Sequence, residues 1–140
     1  MANAPALAHP PFVGDDGVWC QQVRAVSGEL RPALFLDRDG VIVEEVHYLH
    51  RAEEMRLTTN AAVVIRAANN HGLPVIVVTN QSGVGRGNYG WSDFEAVQAA
   101  MLSALATENA FIDAVFACPF HRSGEAPWNI ADHADRKPGP

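Results

Sequence analysis

The sequence is short of several features that would each have assigned it a class. Only two cysteines occur, Cys20 and Cys118, too few for a disulfide-built scaffold, and two thiols suit a reducing compartment, so a cytoplasmic location is expected. Positive charge is scarce: ten Lys and Arg stand against sixteen Asp and Glu, a formal net charge of -6. Binding a nucleic-acid backbone relies on Lys and Arg neutralising phosphates, so no nucleic-acid partner is expected. No segment approaches the roughly 20 apolar residues of a membrane helix. The start, Ala- and Pro-rich from Met1 to Phe12, lacks the basic stretch and sustained apolar run of a signal peptide. A soluble protein with no membrane partner is expected.

What remains is ordinary globular composition. The 140 residues are 48% hydrophobic and 19% charged, enough for one compact domain with its own core and too short to expect two. Residues 1–17 carry three of the nine prolines and no periodicity, and are expected to form a flexible arm, with the folded portion running from 18 to 140. Val18 to Val26 reads as a short strand or an ordered lead-in. No internal repeat or low-complexity tract interrupts the chain.

From there the pattern alternates. Ala33-Leu34-Phe35-Leu36 is an apolar run ending abruptly at Asp37, as a buried parallel strand would. Thr58, Thr59 or Asn60 can cap a helix through Ala61 to Ala68, with Gly72 as its stop. Leu73 to Val78 is apolar on both faces and ends at Thr79-Asn80-Gln81-Ser82, a second buried strand. Ser92 and Glu95 form a capping-box pattern ahead of a stripe of Phe94, Val97, Met101, Leu102 and Leu105, which predicts a second helix. Ile112 to Ala117 predicts a third strand. The fold class expected is α/β, a doubly wound, Rossmann-like parallel sheet with right-handed crossovers. In such sheets ligands sit beyond the carboxyl ends of the strands, where the polar clusters fall.

Asp37-Arg38-Asp39-Gly40-Val41 places two carboxylates two residues apart directly after a buried strand. One can attack phosphorus to form an aspartyl-phosphate, while the other protonates the leaving oxygen and then activates water. A hard cation such as Mg²⁺ would offset the combined negative charge of the carboxylates and phosphate. Taken alone, this stretch is equally a strand-ending turn, where Asp and Gly are common. Thr79 follows its strand as Asp37 follows its own, and its hydroxyl, the Asn80 amide and loop N–H groups suit phosphate oxygens. Ser82-Gly83-Val84-Gly85-Arg86-Gly87 suits close approach to an anion or a mobile surface loop, and lacks the third glycine of a dinucleotide fingerprint.

Together Phe35-Leu36-Asp37-Arg38-Asp39-Gly40-Val41-Ile42, Val77-Val78-Thr79-Asn80-Gln81-Ser82-Gly83-Val84-Gly85-Arg86-Gly87 and the final Arg136-Lys137-Pro138-Gly139-Pro140 resemble the haloacid dehalogenase superfamily. The resemblance, over about 31–140, is to the branch of D-glycero-D-manno-heptose 1,7-bisphosphate phosphatases and histidinol phosphatases. It implies Asp37 as nucleophile, Asp39 as general acid/base, and both positions as Mg²⁺ ligands. Thr79 and Asn80 would hold the transferring phosphate and Lys137 would neutralise it; by composition alone, Lys137 reads as an exposed tail lysine. Glu45, His47, Tyr48, Gln81, Ser82 and Arg136 would contact the rest of a small phosphorylated metabolite, with Arg86 a looser candidate.

Two departures from that pattern stand out. Relatives often carry a zinc loop before the Arg-Lys pair, and its four ligand sites fall here on Cys118, Phe120, His133 and Asp135, of which Phe120 is no ligand. His121 supplies a substitute imidazole, and a Cys-His-His-Asp set is able to bind zinc. A metal-free loop held by Trp128 and apolar neighbours is the reading preferred. The resemblance also implies a later acidic motif completing the Mg²⁺ site, for which no carboxylate follows Lys137. A fragment of a longer enzyme is therefore expected, incomplete at its C-terminus, with a partner-completed site as the other reading. Three activities compete: phosphomonoester hydrolysis, ligand binding without turnover, and a polynucleotide 3'-phosphatase, which the acidic balance disfavours.

Overall fold

The computed structural model describes residues 9–139. Five strands form one sheet: β1 (Phe12–Val13), β2 (Trp19–Gln22), β3 (Leu34–Leu36), β4 (Val75–Asn80) and β5 (Ala114–Cys118). Three helices join them, α1 (Ala61–Asn70), the single-turn α2 (Ser82–Gly85) and α3 (Trp91–Thr107). The spatial order is β1-β2-β5-β4-β3. β3, β4 and β5 are parallel, with Leu36 opposite Val77 and Asn80 opposite Cys118. β2 runs antiparallel to β5, and β1 antiparallel to β2.

The expected α/β sheet is present, now with a mixed edge. Phe12–Val13, inside the segment expected as a flexible arm, pairs with Cys20 and Trp19; Met1–Ala8 of that arm lie outside the described residues. β4 runs two residues further than its apolar run, so that Thr79 and Asn80 keep strand pairing with β5. α3 begins one residue before the predicted cap: the Gly90 N–H donates to Asp93 Oδ2 at 2.9 Å. Glu95, the expected capping acid, instead accepts from Trp19 Nε1 at 2.9 Å, because a buried indole N–H needs a partner more than an exposed helix end does. The glycine-rich segment expected as a loop closes one helical turn, with Gly83, Val84 and Gly85 buried.

The core is one cluster. Ala62, Ile65 and Ala68 of α1 and Phe94, Val97, Met101 and Leu105 of α3 pack with Trp19, Val75, Val77, Val115 and Ala117. These strand residues share one sheet face, since alternate positions point the same way. The opposite face carries Phe12, Cys20, Phe116 and Val78 in one cross-strand row and Ala114, Ile76 and Phe35 in the next. Its phenylalanines are exposed, 58% at Phe12, 65% at Phe35 and 42% at Phe116. Among the described residues, no helix is long and apolar enough to cross a membrane.

Candidate active site

The site grows from the carboxyl ends of β3 and β4. Asp37 follows β3 directly, and its Oδ1 accepts the N–H of Arg38 at 2.7 Å. The chain then turns tightly: the Arg38 carbonyl accepts from the N–H groups of Val41, Ile42 and Val43 at 3.2, 2.9 and 3.1 Å. Gly40 sits at φ 78°, a conformation open to glycine and costly for most other residues. This turn keeps Asp37 and Asp39 at the same end of the sheet.

Arg38 lies between the two acids and is buried, 1% exposed. Its Nη2 donates to Asp39 Oδ1 at 3.0 Å and its Nε to Asp39 Oδ2 at 3.2 Å. The guanidinium carbon lies 5.0 Å from the centre of the Phe94 ring. A buried guanidinium requires this pairing, since an uncompensated charge there would cost several kcal/mol, about 3–5.

At the end of β4, Thr79 and Gln81 are buried. Gln81 Nε2 donates to Asp39 Oδ2 at 2.8 Å and to Thr79 Oγ1 at 3.0 Å. Gln81 Oε1 accepts from Tyr89 OH at 2.5 Å and from Arg38 Nη2 at 3.3 Å. Burial pushes the Tyr89 hydroxyl up to about 12, with Arg38 opposing and Asp39 and Tyr48 reinforcing the shift. The Asn80 side chain turns to Lys137, where the Lys137 Nζ reaches Asp37 Oδ2 at 3.1 Å and donates to the Val78 carbonyl at 2.7 Å. Lys137 is the sole lysine of the sequence.

A cavity of about 300 Å³ opens beside these groups, lined by Asp39, Glu45, His47, Tyr48, Ser82 and Tyr89 among others. The structure thus brings Glu45, His47, Tyr48, Asn80, Gln81 and Ser82 to the wall next to Asp39. Arg136 is not on that wall; its Nη1 donates to the Phe120 carbonyl at 3.0 Å. Arg86 donates to Tyr48 OH at 2.9 Å and meets the His121 ring at 2.8 Å from Nε2. Burial, then the cationic Arg86, Arg136 and Arg122, hold the His121 imidazole below its ordinary range. Two residues were missed by sequence reasoning. Arg38 had a signal, an arginine between two acids, whereas nothing around Tyr89 marks it.

The candidate zinc ligands are not gathered. His121 is engaged with Arg86, while His133 stacks on Phe120 at 3.7 Å and 3° between planes. Burial pushes the Cys118 thiol up, away from the thiolate that a metal needs. Among the described residues no three His, Cys, Asp or Glu side chains group to hold a metal. The set Cys118, His121, His133 and Asp135 is therefore corrected: at the position of the absent ligand, Phe120 stacks on His133 and meets Trp128 edge to face at 5.5 Å. For Mg²⁺ the donor chemistry fits, because that ion commonly takes one or two carboxylates and completes its octahedron with water and phosphate oxygens. Asp37 and Asp39 are such donors.

The parallel strands, the two acids at the tip of β3 and the lysine against the first of them define a class, and the comparisons agree with it. A HAD-like phosphatase from Mesorhizobium loti superposes with a TM-score of 0.84 at 42% identity, over 94% of this chain and 63% of that one. The D,D-heptose 1,7-bisphosphate phosphatase of B. bronchiseptica, solved with magnesium and phosphate, gives 0.66 at 28% identity, over 77% of this chain and 57% of that one. In fold and sequence the chain is similar to the haloacid dehalogenase-like phosphatases.

Within them its sequence is similar to the D-glycero-β-D-manno-heptose-1,7-bisphosphate 7-phosphatases. It is 43% identical over 142 residues to that of Mesorhizobium japonicum, covering 100% of this chain and 64% of the relative. To that of Rhodopseudomonas palustris it is 43% identical over 114 residues, 81% of this chain and 63% of the relative. The chain thus spans less than two thirds of the length of these relatives. No family model matches it.

Proposed function

We propose that this chain carries the nucleophile-bearing part of a Mg²⁺-dependent phosphomonoesterase acting on a small phosphorylated sugar, D-glycero-D-manno-heptose 1,7-bisphosphate, with release of the 7-phosphate. The observation that carries the reading is the Asp37–Lys137 contact of 3.1 Å at the tip of β3, two residues before a second carboxylate. The magnesium-and-phosphate complex of the B. bronchiseptica relative supports the cation, and the names of the relatives support the substrate. A cytoplasmic location belongs to the same reading and rests on the two free thiols.

Asp37 Oδ attacks phosphorus, the bond from phosphorus to the ester oxygen breaks, and the leaving oxygen takes a proton from Asp39. Water then attacks the aspartyl-phosphate, giving its proton to Asp39; the acyl phosphate linkage breaks to free inorganic phosphate and restore Asp37. Lys137 faces the charge that develops on the transferring group. Asp37 and the Asp39 position would hold Mg²⁺, which when bound would neutralise charge as phosphate approaches the two acids.

Phosphate release from heptose bisphosphate in the presence of Mg²⁺, lost in Asp37→Asn with an unchanged circular-dichroism spectrum, is the expected result. Absence of release from that substrate, histidinol phosphate and DNA 3'-phosphate would remove the activity from this chain. A second reading is binding without turnover. It gives phosphate-dependent thermal stabilisation with no hydrolysis.

A further inference from the structure

We propose that Gln81 is a positioning residue, not a substrate contact: oriented by the charges of Arg38 and Asp39 and braced by Tyr89, its amide sets the Asp39 carboxylate and the Thr79 hydroxyl relative to each other. The roles of Asp39 and Thr79 rest on the phosphatase reading; the lock itself rests on geometry.

Gln81 is 2% exposed, which leaves it almost no surface to offer a ligand. Two of its four side-chain contacts have a fixed sense, the donor-only guanidinium of Arg38 and the acceptor-only carboxylate of Asp39. Tyr89 OH and Arg38 Nη2 are donors facing Oε1, while Asp39 Oδ2 and Thr79 Oγ1 receive Nε2. A flipped amide would set its N–H groups against the Arg38 guanidinium and its oxygen against the Asp39 carboxylate. Each end would lose its bond to a charged group and meet that group with the wrong polarity, so one orientation holds.

The hydroxyl that braces it is built in. Tyr89 is 9% exposed and stays protonated throughout the physiological range. Its ring stacks on His50 at 5.7 Å, with 8° between planes. It also lies directly on Gly83, where an added Cβ would collide with the ring. The result is a chain of contacts from Tyr89 through Gln81 to Asp39, whose carboxylate accepts three hydrogen bonds, two from Arg38 and one from Gln81. It restrains the plane of the carboxylate and moves no proton.

The test uses the 140-residue chain labelled with ¹⁵N. The Gln81 side-chain amide is expected to give two resolved proton resonances exchanging at least ~10-fold more slowly than the exposed amide of Asn88, and Tyr89→Phe to erase most of that protection, about the effect of one net hydrogen bond. With heptose bisphosphate, Tyr89→Phe and Gln81→Leu are expected to lower kcat about tenfold or more while KM stays within about twofold. Free-amide exchange in the parent chain, protection that Tyr89→Phe leaves intact, or a rise in KM at constant kcat would each overturn the proposal. A chain without turnover on any phosphate ester fails the phosphatase reading, and with it the catalytic purpose assigned to the lock, while the exchange data still decide whether the lock exists.

Discussion

The side chain of Asn80 pairs with the backbone of Lys137 as a neighbouring strand would, Nδ2 donating to the Lys137 carbonyl and Oδ1 accepting its N–H, both at 3.1 Å. The loop from Pro119 to Arg136 is thereby pinned to the end of β4, and the lysine ammonium is delivered to Asp37. Asn80→Ala removes both bonds at once. With each worth about 0.5–1.5 kcal/mol, phosphate release should fall roughly 10- to 100-fold, while Asn80→Asp, which keeps one acceptor and loses the donor, should fall less. Initial-rate measurements on both variants decide this.

Because Lys137 is the only lysine, amine chemistry reports on the site directly. Its side chain is 36% exposed and 3.1 Å from Asp37. An acylating reagent should modify Lys137 and the N-terminal amine alone. Inorganic phosphate with Mg²⁺ should protect the former and leave the latter unchanged, as read by peptide mass spectrometry. Equal labelling with and without phosphate would show that no anion binds beside the ammonium.

Gly83→Ala is expected to be severe for so small a change, since its Cβ would occupy the place of the Tyr89 ring. Strain of this kind typically costs about 1–3 kcal/mol. The melting temperature should drop and the tyrosine fluorescence should change. Gly83→Ala combined with Tyr89→Ala should recover part of the lost stability, and the double-mutant cycle gives the coupling.

His121 gives a titration with a definite sign. Its folded-state pKa is lowered, by burial first and then by the three arginines near it. The unfolded chain therefore binds the proton more readily, and whatever stability this group contributes is complete above about pH 6.5 and declines as the pH falls toward the lower folded value. Two-dimensional NMR should place its midpoint below that of an exposed histidine, and Arg86→Gln should move it upward. An unaltered midpoint in that variant would mean that the guanidinium does not act on the ring.

Much of this site was legible before any coordinates. Leu34–Leu36 and Val75–Val78 are apolar on successive residues, the pattern of parallel strands, and the acids and hydroxyl at their ends follow from that placement; the burial expected of Leu34–Leu36 is not found, since β3 lies at the margin of the sheet with Phe35 65% exposed. The direction of β2 was not legible, because Trp19–Gln22 has the same composition whichever way it runs. Phe12–Val13 was lost among prolines and glycines, as its pairing depends on a partner rather than on its own pattern. Arg136 was assigned to the ligand by resemblance, whereas its guanidinium holds the Phe120 carbonyl. The Gln81 contacts come from four separate segments, and no local spacing encodes such a meeting.

β3 is three residues long and lies at the margin of the sheet, hydrogen-bonded to β4. The residue proposed to attack phosphorus thus hangs from a strand tethered by a single ladder, while the hydroxyl opposite it grows from the longest strand, paired on both sides. Two halves of one reaction centre are anchored with unequal stiffness. By the count of ladders alone, the backbone amides of β3 are expected to exchange faster than those of β4.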